Sequence, residues 1–209
     1  MHILFSHKTN YYEIFVSEIV ENLSVKDENI YIQDIEKEKY FSLNNSRKKE
    51  FLSVRKLLQN LFPSHNNQIT YTQTGKPTCN NYHISISHSK SYVAVICSTK
   101  QPVSVDIEEF RPVIARTAPK FMSLHEQKHF TDIFSQTLVW SAKEVLYKLY
   151  EASANFTKDY SITQNEKKNQ HGNLIGRVST KKIDKTIKIQ YFRTHNFILT
   201  WTFDSKQDI

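Results

Sequence analysis

Asp106, Glu108, Glu144 and Lys148 have types and spacings that could do phosphate chemistry. Asp106 and Glu108 lie in Val103-Ser104-Val105-Asp106-Ile107-Glu108, a run that alternates apolar and polar residues. Alternation of this kind marks a β-strand, where residues i and i+2 leave the same face. Both carboxylates therefore share a face, and Glu109 points away from it. At ~3.3 Å per residue their Cα atoms stand roughly 6.6 Å apart. With an effective dielectric of ~20, two charges at that distance repel by about 2.5 kcal/mol. A cation, a nearby Lys or Arg, or plain hydration must offset that repulsion, and hydration is the commonest answer for an isolated pair.

A third carboxylate changes the balance. Trp140-Ser141-Ala142-Lys143-Glu144-Val145-Leu146-Tyr147-Lys148 has helical character, and Trp140, Glu144 and Lys148 follow one another at i, i+4 on one face. Glu144 and Lys148 could form an ordinary ion pair on an amphipathic helix. Alternatively, Glu144 joins Asp106 and Glu108 in an all-oxygen site suited to Mg2+, with phosphate oxygens completing the shell. Elsewhere, Ser87-His88 sits between two strand-like runs and Lys76 in the turn Gly75-Lys76-Pro77. Hydroxyl, imidazole, amine and backbone amides at these places could meet a phosphate, although a histidine at a strand end is more commonly structural.

The elements that must position these residues read as follows. Ile3 to Phe5 suits a strand, and Tyr12, Phe15, Val16, Ile19, Val20 and Leu23 recur at helical spacing. A charged helix from Arg47 to Leu61 carries Phe51, Val54, Leu57, Leu58 and Leu61 on its apolar face and is ended by Pro63. Strands are expected at Ile69–Thr72, Tyr82–Ile86, Tyr92–Cys97 and Val103–Glu108. Helical patterns occupy roughly Ile114–Phe130 and Ser135–Glu151, and β-rich runs dominate from Ser161, clearest at Ile187–Phe192 and Phe197–Phe203. Basic residues between Lys158 and Arg193 suit a solvated β surface. No close repeat exists, yet the order of elements is similar before and after about position 102. The expected architecture is α+β in two lobes, 1–102 and 103–209.

With three glycines and five prolines in 209 residues, long flexible linkers are not expected. A net charge of +7 favours anionic partners: phosphates, nucleic acid, a membrane surface or an acidic protein. Cys79 and Cys97 form no CxxC pair, and Ile3-Leu4-Phe5 is too short for a signal-peptide core. Reduced thiols in a cytoplasmic protein that does not enter membranes are the expectation.

Several short segments, taken in order, resemble the surfactin-type branch of the 4'-phosphopantetheinyl transferases. They are Thr74-Gly75-Lys76-Pro77, Ile84-Ser85-Ile86-Ser87-His88-Ser89, Val105-Asp106-Ile107-Glu108 and Trp140-Ser141-Ala142-Lys143-Glu144. Phe121-Met122-Ser123-Leu124-His125-Glu126 lies where that family carries its F…E element, and Arg47 to Arg55 is similar to its basic N-terminal helix. The resemblance runs from about Arg47 to Lys148. It implies two α+β lobes related by a pseudo-twofold axis, with coenzyme A bound in the cleft between them. It further implies transfer of the 4'-phosphopantetheine group of coenzyme A to a serine of an acyl or peptidyl carrier protein, by a monomer. Asp106, Glu108 and Glu144 become ligands of Mg2+, with Mn2+ as the alternative ion. Asp106, Glu144 and Lys148 become the catalytic group, with Lys148 near the diphosphate and Glu144 or a metal-bound water as base. Ser87 and His88, helped by Arg47 or Arg55, would hold the 3'-phosphate, and Lys76 with its neighbours would border the adenine.

Two positions depart from the family pattern. Ser104 stands where glycine is usual, and Leu149-Tyr150-Glu151-Ala152-Ser153 lacks the glycine common after the lysine. Two other functions compete. A basic nucleic-acid-binding module would suit the charge and eleven tyrosines, but no nucleic-acid motif is present and the carboxylates would go unexplained. A catalytically silent, carrier-binding relative is opposed by the intact carboxylates and lysine.

Overall fold

Tyr12, Ile14 and Val16 are buried while Glu13 and Phe15 between them are half-buried, and this period of two sets the local structure. Glu13–Glu18 is a strand, not the helix that the spacing of Tyr12, Phe15, Val16, Ile19 and Val20 suggests. Leu23, the last residue of that pattern, lies outside the described residues. The reason is position in the sheet. The strand is central, with neighbours on both edges, and apolar side chains on both faces of a buried strand imitate an i, i+3, i+4 series.

The computed structural model describes residues 2–21, 30, 32, 34–61, 69–79, 81–151, 155–167 and 170–204. The chain divides into two units, Met1–Lys100 and Gln101–Ile209, each mixed α+β. The first contains β1 (Ile3–Lys8), β2 (Glu13–Glu18), α1 (Asp34–Ser42), α2 (Asn45–Leu61), β3 (Ile69–Tyr71), β4 (Pro77–Cys79), β5 (His83–His88) and β6 (Tyr92–Ser98). Its main sheet has the order β1-β2-β6-β5, all antiparallel. Val54, Leu57 and Leu58 of α2 pack on Ile84, Val93 and Val95 of that sheet, as the apolar face of the helix requires. β3 and β4 form a hairpin whose turn places Gly75 at φ +84°, the left-handed region that glycine enters without a Cβ clash.

The second unit contains β7 (Val103–Glu109), α3 (Val113–Phe121), α4 (Leu124–His129), α5 (Ile133–Tyr150), β8 (Tyr160–Lys167), β9 (His171–Ser179), β10 (Asp184–Arg193) and β11 (Phe197–Phe203). Its antiparallel sheet runs β7-β11-β10-β9-β8. The helical pattern expected as one piece over Ile114–Phe130 is two helices. Met122 is extended, and Ser123 restarts the chain with a capping box, its hydroxyl accepting from the Glu126 amide while Glu126 accepts from the Ser123 amide. Asp132 and Ser135 form a second capping box at the start of α5. α5 lies on β7 and β11. Its Leu146 sits so close to the sheet that a Cβ on Gly176 would come within 2.9 Å of Leu146 Cδ1 and 2.6 Å of Ile189 Cδ1. A larger residue there would have to push these two methyl groups aside.

The two units share a connectivity. In each, a strand leads into helices, and the last strand of the unit returns to pair antiparallel with it: β6 on β2 and β11 on β7. The strand before the last then pairs on the far side, β5 on β6 and β10 on β11. Arg177 and Lys188 are exposed on the face of the second sheet opposite the buried Val178, Ile187 and Ile189, and Lys181, Lys182 and Lys185 are exposed at the turn end of β9 and β10. Among the described residues no helix is long and apolar enough to cross a membrane. Cys79 and Cys97 are buried and unbridged, and burial pushes the Cys97 thiol up to about 12.

Candidate active site

β7 and α5 bring the expected carboxylates and lysine together. Strand alternation directs Asp106 and Glu108 toward α5, and the i, i+4, i+8 face of that helix supplies Trp140, Glu144 and Lys148. Lys148 Nζ donates to Asp106 Oδ1 at 2.8 Å and to the Val105 carbonyl at 3.1 Å. Ser141 Oγ donates to Asp106 Oδ2 at 2.7 Å and lies 2.8 Å from Thr200 Oγ1, the residue opposite Asp106 in the β7–β11 register. Glu108 accepts from Trp140 Nε1 at 2.8 Å and from Arg111 Nη2 at 3.1 Å. Asp106 is buried, whereas the Lys148 side chain keeps 28% of its surface exposed, so the cluster opens to solvent on the lysine side.

The electrostatics follow from this crowding. Burial pushes the Glu144 carboxyl up to about 7, aided by the negative charges of Asp106 and Glu108 and opposed by Lys148. Burial likewise raises Glu108, with Asp106 adding to it and Trp140, Arg111 and Lys148 working against it. The donors are hard oxygens in excess of the local positive charge, the chemistry a Mg2+ site requires. In this arrangement the oxygens of Asp106 and Glu108 are engaged by protein donors. Among the described residues no three potential ligands stand in coordinating geometry.

A second lysine of α5 has a different setting. Lys143 is fully buried, and its amine faces Glu126 Oε2 at 2.7 Å and the carbonyls of Phe121, Phe156 and Tyr160 at 2.8, 2.8 and 3.0 Å. Glu126 Oε1 accepts from the Ile162 amide at 2.8 Å. Desolvation lowers the Lys143 pKa and Glu126 holds it up. This pair ties α4, α5 and β8 into one node.

The first unit holds a cavity of about 340 Å³, near the lower end of the ~300–1,000 Å³ of small-molecule sites. Arg47, Arg55, Gly75, Pro77 and His88 line it, together with Lys39, Glu50, Phe51 and Tyr71. Arg47 Nη1 lies 2.7 Å from Glu50 Oε2 and 3.5 Å from His88 Nε2, and His88 Nδ1 lies 3.5 Å from Glu50. Arg55 is held differently. It forms a two-point pair with Glu36, buried on both sides, and donates to the Tyr71 hydroxyl at 2.8 Å. That pairing makes Arg55 part of the wall. Lys76 and Ser87 are not among the lining residues. Ser87 is buried on the face of β5 opposite His88, and the Lys76 amide donates to Thr72 Oγ1.

Sequence reasoning missed Lys39, whose amine lies 4.4 Å from the Tyr71 ring centre, and Glu50, which joins Arg47 to His88. The i, i+3 spacing of Arg47 and Glu50 was an available signal, but Lys39 had none. Of the two departures from the family pattern, Ser104 is fully buried with a hydroxyl that has no hydrogen-bond partner among the described residues. Glu151 ends α5 in the left-handed region (φ 47°, ψ 34°), the conformation for which glycine is usual. Ala152 and Ser153 lie outside the described residues. No protein-family model and no curated protein matches the chain.

Proposed function

We propose that the chain transfers 4'-phosphopantetheine from coenzyme A to a carrier-protein serine and releases 3',5'-adenosine diphosphate. The observation that carries this is the meeting of β7 and α5: burial and the charge of Asp106 raise the carboxyls of Glu108 and Glu144, and Lys148 contacts Asp106 at 2.8 Å. The common connectivity of the two units supports reading them as the related lobes that the resemblance implies. A net charge of +7 suits a phosphorylated substrate and an acidic carrier in the cytoplasm.

In the reaction, the serine oxygen attacks the β-phosphorus of coenzyme A, the bond to the adenosine-side phosphate breaks, and the serine proton passes to a base. Mg2+ or Mn2+ held by Asp106, Glu108 and Glu144 would draw charge from the diphosphate and stabilise the leaving oxygen. Lys148 neutralises Asp106 in the resting protein and, on the exposed side of the cluster, can turn its amine to the diphosphate as charge develops there. Trp140 and Ser141 hold Glu108 and Asp106 in orientation. Glu144, or a water beside it, would accept the serine proton. In the first unit Arg47 and Lys39 supply cations and His88 an imidazole for the 3'-phosphate, and Phe51, Tyr71, Gly75 and Pro77 supply the surface for the adenine.

The test is intact mass spectrometry of apo-carriers incubated with the protein, coenzyme A and Mg2+. A carrier should gain one phosphopantetheine, and Asp106→Ala should abolish the gain. His88→Ala should raise the requirement for coenzyme A far more than for dephospho-coenzyme A, which lacks the 3'-phosphate. Near-normal turnover by Asp106→Ala with Mg2+ present would rule out the three-carboxylate site. A folded wild type that modifies no carrier yet binds one would favour the silent, carrier-binding alternative.

A further inference from the structure

Helix α4 carries a pattern that the transfer reaction does not use. His125-Glu126-Gln127-Lys128-His129 has the order His-Glu-x-x-His, which on a helix places two imidazoles at i, i+4 for a metal and a glutamate beside them as general base. The structure separates these parts. Glu126 is buried and accepts from the Ser123 amide, Lys143 and the Ile162 amide at 2.7, 2.7 and 2.8 Å, so its carboxylate is a structural anchor and not a base. The histidines go the other way. Both are exposed, and their rings stand 4.2 Å apart between centres with 32° between planes.

The bonding of His129 selects the nitrogen that faces a ligand. Its Nδ1 lies 2.8 Å from the His125 carbonyl oxygen and, as the protonated nitrogen, donates to it. The lone pair is then on Nε2. Metal-binding histidines characteristically make this carbonyl bond, because it fixes the tautomer and the ring. Imidazoles at this separation can converge on one ion with metal–nitrogen bonds of about 2.0–2.1 Å.

The geometry points to a two-histidine surface site on α4 for a first-row transition dication, Cu2+, Ni2+ or Zn2+, with water in the remaining positions. The site is separate from the carboxylates by chemistry: imidazole suits these ions, whereas Mg2+ prefers oxygen. The ion joins the second residue of α4 to its last and so staples a helix of six residues. It assists no hydrolysis, since Glu126 is withdrawn into the core. None of this depends on coenzyme A being the substrate.

The experiment is calorimetric titration of metal-free, untagged protein with Ni2+ alone, repeated with Cu2+, alongside thermal melts with each ion. One ion per chain should bind and raise Tm. His125→Asn and His129→Asn should each remove the chelate and weaken that binding on the order of 100-fold, with the Tm gain lost. Both positions are exposed, so the variants should melt like wild type in metal-free buffer. Mg2+ should neither raise Tm through these residues nor displace Ni2+. Undiminished binding when His125→Asn and His129→Asn are combined, loss through only one of the two histidines, or no binding by wild type would each overturn the site.

Discussion

Helix α5 carries two lysines that each meet a carboxylate, and the two pairs have opposite characters. Lys143–Glu126 is shut away from solvent, and every oxygen and nitrogen of it is engaged: four acceptors around the amine and three donors on the carboxylate. Lys148–Asp106 is open on the lysine side and has Glu108 and Glu144 as surplus negative charge beside it. A saturated pair has nothing left for a ligand and can only hold structure. A pair with excess charge and an exposed cation is held in a state that a phosphate or a dication would improve. The difference teaches that burial and an ion pair do not by themselves leave room for a ligand; unbalanced charge within reach of solvent does.

The largest effect should come from breaking the saturated pair. Lys143→Ala leaves Glu126 buried without its counter-charge and should cost about 3–5 kcal/mol in chemical denaturation. Lys148→Ala should cost clearly less, because the lysine side chain is 28% exposed and water can partly replace its amine beside Asp106, while transfer to a carrier falls steeply. Equal stability losses for the two variants would erase the contrast between the pairs.

The surplus charge itself gives an intermediate effect with a pH signature. The Glu144 carboxyl is raised from an ordinary 4.5 to about 7, first by burial and then by Asp106 and Glu108. A raised carboxyl contributes stability that is complete below its unfolded pKa and is lost as pH rises through its folded one. In metal-free buffer, Glu144→Gln should therefore match wild type near pH 4.5 and exceed it at pH 8. Allowing for the partial exposure of the group, the gain is on the order of 1–2 kcal/mol. Adding Mg2+ at pH 8 should stabilise wild type and leave the variant unmoved. A gain that is constant with pH would show that burial and its neighbours do not hold the carboxyl near neutrality.

The smallest effect concerns the end of the helix that carries Lys148. Glu151 occupies the left-handed region at its cap, where a side chain is disfavoured. Glu151→Gly should raise stability by roughly 0.5–1 kcal/mol, the relief of left-handed strain less the greater freedom of glycine in the unfolded chain. A loss of stability on this substitution would mean that the Glu151 side chain contributes more than its backbone costs.

Much of the site could be read from spacing because its faces are periodic. Asp106 and Glu108 share a strand face by i, i+2, and Trp140, Glu144 and Lys148 share a helix face by i, i+4, so their grouping needs only local geometry. The same local logic failed at Tyr12–Val20, where a central strand with apolar residues on both faces imitates a helix. It also failed at Met122-Ser123, where a short extended link divides what reads as one helical run.

The sequence by itself determined the mixed α+β class, the strand carrying two carboxylates, the helix facing it and the basic charge, because periodicity and composition act over a few residues. Tertiary structure decided which charges remain free to act. Arg55 looks like a phosphate ligand in the chain but is closed by Glu36, 19 residues away; Lys143 looks like its neighbour Lys148 but is closed by Glu126, 17 residues away. Such pairings depend on elements meeting across a fold, and desolvation, which sets their strength, exists only once those elements have packed.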